Sequence, residues 1–188
     1  MPEPFFVYFN RKLRLREESG PGEISGDIEG VTIMKGNDRV IATLNSLLAD
    51  ELTAISQYIV HSEMCDNWGY GKLHGKNEKR AIDEMKHAER LIGRIIFLEG
   101  TPIVNKLNQI NIGATVEIQF RDDAQAEVGA IKAYNDAIRV AVEVGDNGSR
   151  ELMESILKDE EEHLDWLEAQ QDQIKQMGIQ NYLVEQVD

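Results

Sequence analysis

The chain has 188 residues, 34 acidic against 20 basic side chains and a formal net charge of −14, which suits one well-packed domain and argues against nucleic acid and anionic membranes as partners. The acidity either draws metal cations or simply keeps the chain soluble. A single cysteine, Cys65, allows no internal disulfide and fits a reducing cytoplasm; no apolar run approaches the ~18 residues of a membrane span, and the N-terminus lacks a secretory signal pattern.

Residues 1–33 form a segment of their own texture. They hold Pro2, Pro4 and Pro21 and the glycines at 20, 22, 26 and 30, with an apolar run at Phe5, Phe6, Val7, Tyr8 and Phe9 followed by Arg11, Lys12, Arg14 and Arg16. This reads as a flexible extension with at most a short strand. Met34-Lys35-Gly36 opens a different pattern, so the division expected is an extension over 1–33 and a helical domain over 34–188.

The spacing predicts a first helix over about 38–67, with Val40, Leu44, Leu47, Leu48, Ile55, Tyr58 and Ile59 on one face and Asn67, Gly69 and Gly71 ending it. A second runs over about 73–98, with Ala81, Ala88, Leu91, Ile95 and Leu98 in a stripe and Gly100 and Pro102 as its stop. A non-helical stretch follows to Thr115. A third helix, about 116–144, carries Val116, Phe120, Ile131, Tyr134, Ile138 and Val142. Asp146-Asn147-Gly148-Ser149 reads as a turn whose Ser149 caps a fourth helix over about 150–177, striped by Met153, Ile156, Leu164, Leu167 and Ile174. Gly178 ends it, and residues 181–187 have the composition of a short fifth helix.

Four long striped helices make an all-α four-helix bundle. The first and last pairs are joined by short links and are therefore antiparallel hairpins. The middle link, Gly100 to Thr115, has 16 residues and reaches some ~50 Å, more than the ~37 Å length of a 25-residue helix. It can cross the whole bundle, which is the ferritin-like arrangement.

The stripes are interrupted at particular places. Glu51 lies in the first stripe and Glu127 in the third; Glu84 and His87 share the second, and Glu160 and His163 the fourth. A carboxylate buried alone costs several kcal/mol, and four together repel, so a cation is needed to neutralise them. The spacing is stronger still. Glu51 to Glu84 and Glu127 to Glu160 are both 33 positions (84 − 51, 160 − 127), and each second glutamate is followed three residues later by a histidine. Two copies of one scheme, related by a pseudo-two-fold, supply four carboxylates and two imidazoles, the ligand set of a di-iron carboxylate bundle. Oxygen and imidazole ligands suit iron or manganese. On this reading Glu84 and Glu160 bridge two irons, Glu51 and His87 complete one, and Glu127 and His163 the other. Each Fe²⁺ gives one electron to O2 or peroxide. Tyr58, two turns after Glu51, either hydrogen-bonds a ligand or gives an electron, or is a core tyrosine with its hydroxyl bonded.

Those residues, with Leu48 to Leu52, Ile82 to Glu89, Phe97 to Pro102, Leu107 to Gly113, Asp159 to His163 and Met177 to Leu183, make the chain resemble the bacterioferritins from Met34 to about Gln186. The resemblance implies a cytoplasmic ferroxidase that turns Fe²⁺ into stored ferric mineral, with O2 or H2O2 as oxidant. It implies two-fold dimers in a shell of two dozen subunits, and a ferredoxin-type reductant for release. It also implies haem b between paired subunits, held axially by Met85, which follows Glu84 and points about 100° away around the helix. Leu52, Ile55, Ile59, Ile82 and Ala88 are expected to form an apolar slot around it. Where the family often places a histidine near the cavity wall, this chain has Lys79; a lysine repels iron and counts against an inner-surface iron site, although Asp83 keeps a carboxylate there. The competing readings are a different di-iron oxidase or peroxidase, and a haem-binding or structural subunit of a mixed ferritin shell.

Overall fold

The computed structural model describes residues 35–187; Met34 and the extension over 1–33, with its expected short strand, lie outside the described residues. Among the described residues five helices occur in order: α1 (Asp38–Asn67), α2 (Gly71–Phe97), α3 (Val116–Glu143), α4 (Asn147–Met177) and α5 (Ile179–Val184). The chain is a ferritin-like four-helix bundle with a short C-terminal fifth helix. Helix α1 packs along α2, α3 along α4, α1 against α3, and α4 meets α2 more loosely while α5 folds back on α4. No helix among the described residues is long and apolar enough to cross a membrane.

Helix boundaries follow local chemistry. The Asn37 side chain accepts from the Arg39 amide at 2.9 Å and starts α1. The fourth helix begins three residues before the expected position, because Asp146 rather than Ser149 is its cap: the Asp146 carboxylate accepts from the Ser149 amide at 2.9 Å. Gly71, expected to end the first helix, instead opens α2. Gly178 ends α4 at φ +79°, a conformation that disfavours any side chain.

The crossover over residues 98–115 is pinned along α1 by its backbone amides. Those of Ile103, Asn108, Asn111 and Gly113 donate in turn to Asn45, Thr53, Gln57 and His61 at 2.7–3.1 Å. The order shows that the crossover runs from the start of α1 to its end, so α3 begins where α2 began. Gly113 has to be glycine: a Cβ there would stand 2.4 Å from the Gln119 amide nitrogen.

Two apolar cores lie at opposite ends. One joins Val40, Leu44, Leu47, Leu48, Leu91, Ile95, Tyr134, Met153 and Ile156; the other joins Cys65, Leu73, Val116, Phe120, Leu167 and Tyr182. Some stripe residues fall off the core. Val142 is 55% exposed and Ile59 43%, because a straight helix longer than seven turns drifts away from any single facing stripe. Ala88, in the predicted stripe of α2, is buried in the first core.

Candidate metal centre

Between the two cores each long helix turns polar side chains inward. Glu51, Glu84, His87, Glu127 and Glu160 are all no more than 3% exposed, and the His163 side chain is 12% exposed. Ligand atoms of Glu51, Glu84, His87 and Glu160 lie within 4.8 Å of one another, and so do those of Glu84, Glu127, Glu160 and His163. The two sets overlap in Glu84 and Glu160. His87 Nδ1 lies 3.1 Å from Glu84 Oε2, 3.1 Å from Glu160 Oε1 and 3.5 Å from Glu51 Oε2. His163 Nδ1 repeats the pattern at 3.2 Å from Glu84 Oε1, 3.2 Å from Glu160 Oε2 and 3.8 Å from Glu127 Oε1. The two rings stack with centroids 6.1 Å apart.

Such a cluster is costly without cations. Burial pushes Glu51 and Glu127 well above the usual carboxylate range, and the charges of Glu84 and Glu160 add to the effect. Burial also raises Glu84 and Glu160, but His163 and His87 beside them outweigh it and hold both low. Burial works against charge on the two imidazoles, yet the carboxylates around them raise both, His87 to about 12. Protons on the histidines thus stand in for cations. Glu84 Oε1 is buried and takes no directed hydrogen bond, although His163 Nδ1 is 3.2 Å away. A buried carboxylate oxygen facing a second carboxylate and an imidazole nitrogen suits a divalent metal, and hard oxygen with nitrogen donors suits iron or manganese.

The sequence-derived cluster is brought together in full, and further side chains reach its ligands. The Tyr58 hydroxyl donates to Glu127 Oε1, and the Tyr134 hydroxyl to Glu51 Oε1. All the pairs obey one offset of 76 positions (127 − 51, 160 − 84, 163 − 87, 134 − 58), so the second tyrosine was recoverable by carrying the repeat past the ligands. Asp159 approaches His87 Nε2 at 3.2 Å and so steers Nδ1 inward. Arg80, 5% exposed, places Nη1 2.9 Å from Glu127 Oε1 and lies over the Tyr58 ring. Asp123 binds Gln57 and His61 in a buried network.

Two cavities reach the cluster. One of about 680 Å³, on the α1 and α3 side, runs from Asp50, Gln109, Arg121 and Gln125 down to Glu51, Glu84, Glu127 and Glu160. The other, about 320 Å³, lies on the α2 and α4 side among Asp83, Lys86, His87, Arg90, Asp159, Glu162 and His163. Met85 lies off the centre, 53% exposed, and Ile82, three residues before it and 40% exposed, shares that outward face.

Comparison with known proteins agrees with this geometry. The ferritin-like domain family matches residues 41–177. The chain is 42% identical over 149 residues to the bacterioferritin of Rhodobacter capsulatus, covering 79% of this chain and 92% of that one. It is 38% identical over the same length to the bacterioferritin of Mycobacterium bovis, covering 79% and 94%, and 38% identical to that of Brucella melitensis, covering 79% and 92%.

Proposed function

Since the chain belongs to the ferritin-like family and, within it, to the bacterioferritins, we propose that it oxidises ferrous iron at the Glu51–His163 cluster and stores the ferric product in a hollow shell. The observation that carries this reading is the pair of overlapping ligand sets with Glu84 and Glu160 in common. Shared carboxylates are what two adjacent metal ions require, and a single-metal site would not need the second half.

Iron is the substrate. Glu84 and Glu160 bridge the two ions; Glu51 with His87 holds one and Glu127 with His163 the other. Two Fe²⁺ give two electrons together: O2 with two protons becomes H2O2, or H2O2 with two protons becomes two waters. The bundle keeps the pair close, with an apolar cluster beyond it toward each end. The two cavities give iron separate ways to and from the cluster, each with acidic side chains on its wall.

Two-fold dimers assembled into a shell of two dozen subunits would enclose the mineral. The exposed face of Met85 and Ile82 supports a paired interface, where two symmetry-related thioethers would hold haem b and provide a route for electrons from a reductant. Reconstitution with haem tests this part: a low-spin spectrum with bis-thioether character is expected, and Met85→Leu should abolish it while iron oxidation persists.

The oxidase is tested by loading metal-free protein anaerobically with Fe²⁺, adding oxidant and following ultraviolet absorbance in stopped flow. A fast phase saturating at about two irons per subunit is expected, and Glu84→Ala should remove it. No fast phase in protein that keeps its helical circular dichroism would sink the enzymatic reading.

A further inference from the structure

The pseudo-two-fold that pairs the ligands fails at one charged position beside them. Arg80 on α2 corresponds to Ile156 on α4, again 76 positions on (156 − 80). Ile156 is fully buried in an apolar core, whereas Arg80 is a buried cation in contact with a candidate metal ligand. A guanidinium keeps its charge in proteins, so this is a fixed positive charge and not a titrating one.

We infer that Arg80 makes the two metal positions unequal: a divalent cation binds first and more tightly between Glu51 and His87, and second and more weakly between Glu127 and His163. The inference rests on the di-metal reading of the cluster given above. Glu127 Oε1 already accepts from Arg80 Nη1 and from the Tyr58 hydroxyl, which leaves Oε2 for a metal. Glu51 Oε1 accepts from Tyr134 alone among the hydroxyl and guanidinium donors of the described residues. Part of the negative charge of Glu127 is therefore spent before a metal arrives, and an incoming dication also meets the guanidinium at close range in a medium that screens poorly. Asp123 lies at the same end and its charge offsets Arg80 in part, but its Oδ1 accepts from Gln57 Nε2 at 2.8 Å and its Oδ2 lies 3.1 Å from His61 Nδ1, whereas the guanidinium is the group in contact with Glu127. The Tyr58 ring under the Arg80 guanidinium, 5.6 Å from Cζ to its centroid, holds it in place. Arg80 is thus a positioning and charge-setting residue that acts through Glu127.

The probe is Co²⁺, which does not undergo oxidation here, titrated into metal-free protein and followed by its visible absorption and by calorimetry. Two steps per subunit are expected, separated by about tenfold or more in affinity. Arg80→Met, which keeps the bulk and removes the charge, should tighten the second step by about tenfold and bring the steps together, while Arg80→Lys should keep them apart. Glu51→Gln in the otherwise unchanged chain should remove the tight step and leave the weak one, a result that does not depend on how Arg80→Met folds. Two equal steps in the unaltered protein, an unchanged gap in folded Arg80→Met, or loss of the weak step in Glu51→Gln would overturn the inference. Absence of cobalt absorption from the cluster in the unaltered protein would instead overturn the di-metal reading on which it stands.

Discussion

The two ends of the bundle, on either side of the carboxylate cluster, are built from paired positions of opposite character. Toward the start of α3 the interior carries Gln57, His61, Arg80 and Asp123; their counterparts 76 positions away, toward the start of α4, are Ala133, Ala137, Ile156 and Leu47. The ligands and the tyrosines repeat, but the packing around them does not. The polar end is also where the crossover lands, and His61 and Gln57 take the amides of Gly113 and Asn111 there. Because His61 Nε2 accepts the Gly113 N–H, its Nδ1 carries the proton and donates to Asp123. A repeated half thus supplies a symmetric set of ligands, and the one connection that cannot be repeated, the crossover, draws the polar network to one end.

The largest expected consequence lies in the stability of the metal-free protein. Glu127→Gln leaves the buried Arg80 guanidinium without the carboxyl it meets at 2.9 Å, and, with burial raising that carboxyl too, should cost about 2 kcal/mol. Glu51→Gln removes a carboxyl that burial holds well above its ordinary value, and the glutamine carbonyl can still accept from Tyr134. A carboxyl raised on folding contributes stability below its unfolded value and loses it as pH rises through the folded value. At neutral pH its removal should therefore be neutral or stabilising by about 1 kcal/mol. Urea denaturation of the two metal-free variants checks the difference, and equal effects would mean that the ends are energetically alike.

The sequence made the repeated features legible and hid the unrepeated ones. Long apolar stripes placed all four main helices, because the 3.6-residue period persists over many turns, and the 33-residue spacing with Glu-x-x-His named every member of the cluster. Arg80 was invisible: it stands in the run Glu78-Lys79-Arg80, which reads as a solvated face. Gln57, His61 and Asp123 were missed for a related reason, since their partners come from the crossover and from another helix and no local pattern announces them. Ser149 reads as the cap because a serine before an apolar run usually is; Asp146, three residues earlier, starts the helix instead by accepting the Ser149 N–H at 2.9 Å, and it also holds Arg94 at 2.6 Å. The outward direction of Met85 followed from a single helical step.

Metal loading sharpens the comparison through pH. His87 and His163 are raised by the carboxylates around them, His87 to about 12, and Glu51 and Glu127 are raised by burial. A divalent ion has to expel protons from these groups. Affinity should therefore rise with pH across the neutral range, by about tenfold per pH unit for each proton displaced. The first Co²⁺ should release protons from His87 and Glu51, both held above their ordinary values. The second should release fewer to the extent that the fixed charge of Arg80 works against the burial that raises Glu127. An indicator dye in weakly buffered solution measures both steps, and equal release would erase the distinction between the positions.

The smallest effect separates the two tyrosines. Each donates one hydrogen bond to a terminal carboxylate, and a phenylalanine in its place keeps the ring and loses the bond, at a cost of about 1 kcal/mol for a typical buried case. Tyr58 shares its acceptor oxygen with Arg80, so Tyr58→Phe leaves Glu127 Oε1 still bonded. Tyr134→Phe leaves Glu51 Oε1 without its hydroxyl donor. The Tyr134 variant should lose about 1 kcal/mol and shift the tight cobalt step by a few-fold, whereas the Tyr58 variant should move the weak step less. If Tyr58→Phe instead leaves both cobalt steps unchanged but slows iron oxidation, its hydroxyl serves electron transfer rather than placement of Glu127. The reverse ranking, with Tyr58 the more costly loss in metal-free protein, would show that Arg80 does not compensate for it and that the ion pair with Glu127 is weaker than its 2.9 Å contact implies.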